Sequence, residues 1–206
     1  MEQFSFIFTI FFMLLGPIKL IPAFAGLTRG ADGRFKRDVA IRGVVIASAL
    51  CVFVALAGGT LLSKYRISID ALRIAGGLVL LIAALQVIFF QKAPPSSPGS
   101  GTPTAIQLAA SPVAVPSIVP PAGVAAILIF MMLAPQYPGM AQAVAICLAT
   151  MMVLDFLVMY FIDQVMKTPG LMVVLTVLGA VLTFAQVGLA IQMILNALGS
   201  LGIVNV

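Results

Sequence analysis

The sequence has no histidine and no tryptophan, only two cysteines, and charged residues at just 8% of its 206 positions. Each shortage removes a class of explanation. Without histidine there is neither a zinc-protease helix motif nor a Ser-His-Asp triad. Cys51 and Cys147 both lie inside apolar runs. That placement implies neither a disulfide framework nor a cysteine-rich metal site, and no cofactor is expected. A typical soluble domain is about 25% charged and about 45–50% apolar, whereas this chain is 62% apolar. So little charge cannot coat a surface facing water, so a soluble globular protein is excluded. Disorder is excluded too, because disordered chains are polar and charge-rich. The net charge is +5, but the basic residues cluster in one short stretch. That reads as membrane orientation, not nucleic-acid binding.

What the chain does have is long apolar runs. A spanning helix needs about 20 mostly apolar residues. Six segments meet this: Phe4–Phe24, Gly43–Leu62, Ile69–Phe90, one within Ala105–Leu133, Ala141–Ile162, and Leu171–Leu198. The runs are too long for barrel strands and lack their two-residue alternation. The expected fold class is therefore an all-α membrane protein of six transmembrane helices. The first segment starts with Glu2 and no basic residue, so it is expected to be a retained helix and not a cleaved signal peptide.

Orientation follows from Lys and Arg in short connections. Arg29, Arg34, Lys36, Arg37 and Arg42 lie after the first segment, Lys64 and Arg66 after the second, and Lys92 and Lys167 in later connections. Placing the first connection in the cytoplasm puts seven basic residues inside and two outside, with both termini external.

The stretch Gln91–Thr104 (QKAPPSSPGSGTPT) is dominated by Pro, Ser, Gly and Thr, the composition of a flexible linker. It divides the chain into residues 1–90 and 105–206, with three spans each, in one membrane domain. Each half opens with a proline-interrupted segment, LLGPIKLIPAF and then ASPVAVPSIVPPAG. The third span of each half closes alike, Ala84-Leu85-Gln86-Val87-Ile88 against Ala190-Ile191-Gln192-Met193-Ile194. Three is odd, so a second copy enters the membrane from the opposite side. The expectation is an inverted 3+3 repeat, an architecture common among secondary transporters.

A proline inside a helix removes one N–H and frees the carbonyl four residues back. In hydrocarbon each orphaned group costs several kcal/mol unless something binds it. Pro17 and Pro22 free the carbonyls of Met13 and Ile18. Pro112, Pro116, Pro120 and Pro121 free those of Leu108, Pro112, Pro116 and Ser117. Helices 1 and 4 are thus expected to be broken. Freed carbonyls would suit an ammonium, and the restarting N–H ends a carboxylate. The candidate substrate-binding residues are Gly16, Pro17, Lys19 and Pro22 in the first segment, with Pro112, Pro116, Ser117, Pro121, Ala122 and Gly123 in the fourth. The plainer alternative is a pair of kinks satisfied by neighbouring helices.

These residues also carry a resemblance. Ile67-Ser68-Ile69 with Leu72-Arg73-Ile74-Ala75-Gly76-Gly77, Pro17-Ile18 with Pro22-Ala23-Phe24 and Leu27-Thr28, Pro112-Val113-Ala114-Val115-Pro116-Ser117, and Gln192-Met193-Ile194 resemble motifs of the MarC family of bacterial inner-membrane proteins. That family includes the SnatA-like transporters of small neutral amino acids. The resemblance implies six helices in an inverted three-plus-three arrangement, a substrate held between broken helices 1 and 4, and amino-acid movement without ATP. The chain departs from the family pattern at Gly16, where Asn or Asp is usual, at Lys19, where a small residue is usual, and at Pro120-Pro121-Ala122, where Gly-Pro-Gly is usual.

Single polar residues leave alternative readings. Lys19 either snorkels to the interface or lines the substrate path. Asp155, inside the fifth span where a carboxylate is expensive, is either a coupling or ammonium-binding group or half of an ion pair, with Lys19 as a candidate partner. Arg73 anchors the third span or pairs with Asp70, or alternatively has a gating role. Gln86, Gln186, Gln192 and Asn196 read as interhelical glue, and Gly58-Gly59 and Gly76-Gly77 as close-packing points. The basic stretch Arg29–Arg42 reads as an orientation signal touching lipid headgroups.

The leading expectation is a non-enzymatic secondary transporter of the bacterial inner membrane, exporting or exchanging small amino acids or similar metabolites. Its partners would be a small-molecule substrate, the lipid bilayer and, as an open option, further copies of itself. The rivals are an ion or osmolyte channel and a non-transporting scaffold. A membrane enzyme is disfavoured, since no acid–base constellation is visible beyond Lys19 and Asp155.

Overall fold

The computed structural model describes residues 2–89, 104–168 and 170–204. Among these residues the chain is helical, with no strand. In chain order come α1 (Glu2–Leu15), α2 (Pro17–Leu27), α3 (Gly33–Lys64), α4 (Ile69–Phe89), α5 (Ala105–Leu108), a kinked stretch Ala109–Ile118, and α6 (Pro121–Leu133). A single turn at Ala134–Gln136 leads to α7 (Met140–Tyr160), α8 (Ile162–Val165) and α9 (Leu171–Ser200). Five stretches are long and apolar enough to cross a bilayer: Gln3–Leu27, Gly33–Gly58, Ile69–Phe89, Met140–Tyr160 and Leu171–Ser200. A sixth span forms if the pair Ala105–Ile118 and Pro121–Gln136, bent by 60°, is taken as one. The linker expected at residues 91–104 falls outside the described residues but for Thr104. That residue caps α5, its hydroxyl accepting from the Gln107 amide while the Gln107 side chain accepts from the Thr104 amide. This reciprocal pair is a capping box.

The outer surface confirms the solvent. Phe53 is 64% exposed and Phe184 76% exposed, and such residues recur around the bundle. A water-soluble monomer rarely shows apolar patches on that scale; hydrocarbon accepts them. Inside, Phe11, Phe24, Ile127, Met151 and Met159 are fully enclosed.

Small residues set the tightest approaches, as close packing inside a membrane requires. A Cβ on Gly77 would stand 2.8 Å from the Ala190 carbonyl oxygen, and one on Gly58 would stand 2.0 Å from Leu128 Cδ2. α4 therefore lies directly on α9, and α3 against α6. α1 packs on α7 and α6, and α2 on α9 and α7.

One boundary differs from the sequence reading. The second span begins at Gly33 and not near residue 43, so Arg34, Lys36, Arg37 and Arg42 lie on the first turns of α3, outside any loop. Hydropathy detects only the apolar part of a helix, and this helix runs on into the polar zone. There Lys36 pairs with Asp163 at 2.6 Å and Arg42 with Asp38 at 2.8 Å. The Arg37 guanidinium lies 4.7 Å from the Tyr160 ring centroid. Two of these three contacts tie the start of α3 to the end of α7 and to α8.

Candidate functional site

Two helices start at prolines within the first and fourth apolar segments. α1 ends at Leu15, Gly16 is extended (φ −72°, ψ 163°), and α2 starts at Pro17. Likewise Pro120 is extended (φ −70°, ψ 158°) and α6 starts at Pro121. Proline suits the first helical position because its missing N–H would have no partner there. Neither start has a side-chain cap. Each presents the positive end of a short helix dipole to its surroundings. The Gly16 amide donates back to the Phe12 carbonyl at 3.0 Å, and the Gly123 amide to the Pro120 carbonyl at 2.8 Å. A Cβ on Gly123 would meet Leu15 Cδ1 at 2.9 Å. The first turn of α6 thus rests on the last residue of α1.

A cavity of about 540 Å³ is lined by the part of α1 before Gly16 and by the later turns of α6. Leu14, Leu80 and Ala126 line one end of it and Arg73, Asn196 and Ser200 the other. Its walls come from α1, α4, α6 and α9. On α1 the lining residues Phe6, Ile10 and Leu14 recur every four positions, a single helix face. The deep end of the cavity lies two residues before Gly16 and three after Gly123. Most of the lining is apolar. The polar groups gather toward the start of α4 and the end of α9, where Arg73 pairs with Asp70 at 3.2 Å.

On the other side of Leu80 lies a hydrogen-bonded chain linking three helices. Lys19 Nζ on α2 donates to Gln186 Oε1 on α9, and Gln186 Nε2 donates at 3.5 Å to the Leu80 carbonyl on α4. Gln186 is 5% exposed. The expected interhelical role of Gln186 is realised, whereas Gln192 bonds Asn196 within α9 at 2.7 Å.

Asp155 is fully buried on α7, and neither carboxylate oxygen has a hydrogen-bond partner. Lys19 and Asp155 therefore do not pair with one another, which corrects that option. Lys19 points to α9, while the Asp155 carboxylate lies within electrostatic reach of Cys51 on α3.

The other candidates are scattered. Pro17, Ala122 and Gly123 are buried, Pro22, Pro112 and Ser117 half-buried, and Pro116 and Pro121 exposed. None of them lines the cavity. Between α5 and α6 the chain leaves helical geometry at Ser111 (φ −148°, ψ 126°) and Val115 (φ −131°, ψ 123°), each followed by a cis proline bond. The carbonyls there are set by this unwinding and not by a four-residue offset in an intact helix. Pro22, by contrast, sits within a continuous α2. Sequence reasoning missed Leu80, Ala126, Asn196 and Ser200 as cavity residues. The four-residue recurrence on α1 and α9 could have grouped the lining by helix face, but not the faces with each other.

No metal-binding group of His, Cys, Asp or Glu occurs among the described residues. The geometry is that of a multi-pass helical membrane protein with an interior cavity beside paired helix starts. The chain belongs to the MarC family of integral membrane proteins, which it matches over residues 1–201. It is 33% identical over 88 residues to a UPF0056 membrane protein of Methanocaldococcus jannaschii. It is 28% identical over 81 residues to one of Archaeoglobus fulgidus. It is 25% identical over 138 residues to the UPF0056 inner membrane protein YhgN of Escherichia coli K12. These stretches cover 43%, 39% and 66% of this chain and 43%, 38% and 66% of the three relatives. No solved structure is similar to the chain.

Proposed function

We propose that this protein is a secondary transporter of small amino acids or similar zwitterionic metabolites in a bacterial inner membrane, of the SnatA-like kind, working by alternating access. The observation that carries the reading is the 540 Å³ cavity lined by α1 up to Leu14, two residues before Gly16, and by α6 from Ala126 on, five residues after Pro121. In this reading spans 1 and 4 are broken helices of an inverted 3+3 repeat. The matching backbone at Gly16-Pro17 and Pro120-Pro121 supports that, and so does the pattern of neighbours. Exchanging α1–α2 with the fourth segment, α3 with α7, and α4 with α9 maps the main contacts onto one another, apart from that of α6 on α7.

The mirror of the cavity would lie among the kinked stretch, α2, α4 and α9. The Lys19–Gln186–Leu80 chain ties α2, α9 and α4 together there. The cavity is the open side of the cycle and this chain is the closed one. The substrate carboxylate faces the uncapped starts of α2 and α6, where the helix dipoles favour an anion. Asp155, buried without a partner, carries the coupling proton or meets the ammonium. Both termini face the periplasm.

Purified protein in liposomes tests this with a panel of radiolabelled glycine, alanine, serine and larger amino acids. The expected result is saturable uptake and exchange of the small ones, reduced at least ten-fold by Ala126→Phe, which fills the deep end of the cavity. Conductance that does not saturate would assign a channel instead. No flux of any kind in protein that remains folded would leave a scaffold.

A further inference from the structure

A second cavity, of about 710 Å³, lies between α3 and α7, away from the site above. We propose that it is a binding cleft for one anionic phospholipid, with an acyl chain in the cleft and the phosphate on Arg34 and Arg37. This inference is independent of the transport reading.

The cleft is almost entirely apolar. Val44, Ser48 and Val52 on α3 face Ala145, Ala149 and Phe156 on α7. The small side chains Ser48, Ala145 and Ala149 make the hollow. Its α3 wall runs from Val44 to Leu56, about 18 Å at 1.5 Å per residue. That is close to the depth of one leaflet of a bilayer whose hydrocarbon is about 30 Å thick.

Beyond the Val44 end of the cleft, α3 carries charge. Arg34, Arg37, Ile41, Val44, Ser48 and Val52 recur every three or four residues and so form one stripe along α3. The α3 stripe that walls the cleft thus leads straight to two arginines. Phe156, in the cleft, packs its ring 5.4 Å from Tyr160, over which Arg37 sits at 4.7 Å. Asp38 and Asp163 are engaged by Arg42 and Lys36, Asp32 ahead of α3 is in no ion pair, and Arg34 and Arg37 have no acidic partner among the described residues. An arginine with no carboxylate partner is suited to a phosphate. A second copy of the chain fits less well. Two-fold contact through this face would place the same arginines of both copies at the same end, with like charges opposed.

The chain has no tryptophan, so Phe156→Trp adds a sole reporter inside the cleft. Brominated-chain phosphatidylglycerol should quench it more strongly than brominated-chain phosphatidylcholine at equal mole fraction. The preference should be about five-fold in apparent association per arginine. Arg34→Gln with Arg37→Gln should abolish the preference, while Lys64→Gln at the far end of α3 should not. Ala149→Phe should weaken quenching by both lipids. Equal quenching by the two lipids, or quenching relieved as the protein-to-lipid ratio rises because copies pair through this face, would overturn the proposal. Should Phe156→Trp fail to fold, native mass spectrometry of the unaltered chain decides between the same outcomes. Retained phosphatidylglycerol adducts support the site; indiscriminate adducts or dimers sink it.

Discussion

A β-carbon on Gly16 would stand 2.1 Å from the Phe12 carbonyl oxygen, and backbone cannot step aside as a flexible side chain can. Gly16→Ala should therefore cost about 1–3 kcal/mol, read as a lower unfolding temperature in detergent. Gly26→Ala, with nothing within 4 Å of the added carbon, should hold or gain about 0.5–1 kcal/mol, since it lies in a helix. Gln186→Leu leaves Lys19 without its acceptor and should cost about 1–3 kcal/mol. Adding Lys19→Met should recover part of that, a coupling visible in a double-mutant cycle. Asp155 works in the opposite sense. Its carboxylate is buried without a partner, so Asp155→Leu should raise stability by about 1–3 kcal/mol while abolishing coupled transport. Equal loss of both would point to a structural role. The sequence marked Lys19 and Asp155 as costly, because charge in hydrocarbon is costly anywhere. It could not pair them correctly, because the acceptor for Lys19 lies 167 positions away and is chosen by how α2 meets α9.

At the level of elements, long apolar runs made the spans readable, because the bilayer enforces a minimum length on each one. The extended backbone at Gly16, just ahead of Pro17, has a similarly local cause. The fourth segment was less readable. Its backbone leaves the helix at Ser111 and Val115, one residue ahead of each proline, as the steric conflict of a pre-proline residue favours. The orphaned carbonyls therefore did not follow from counting four back. The faces of α1, α4, α6 and α9 belong to one cavity only once the bundle exists. A cysteine scan tests that grouping. Both native cysteines are buried, so the background is low. Asn196→Cys and Ser200→Cys should react readily with a membrane-impermeant maleimide, and Ala197→Cys, on a fully buried position of the same helix, should react at least ten-fold more slowly.

For the whole molecule, topology rests on basic residues concentrated at the start of α3. Fusions of alkaline phosphatase to the C-terminus should be active and fusions after Thr28 inactive, as expected if positive charge stays in the cytoplasm. The reverse pattern would invert the direction in which the 540 Å³ cavity faces and leave its lining unchanged.

The contacts of Lys36 with Asp163 and of Arg37 with Tyr160 have a mechanical corollary. They fasten the start of α3 to the end of α7 and to α8. While that fastening lasts, a parting of α3 from α7 is smallest there and grows toward Leu56 and Ala141.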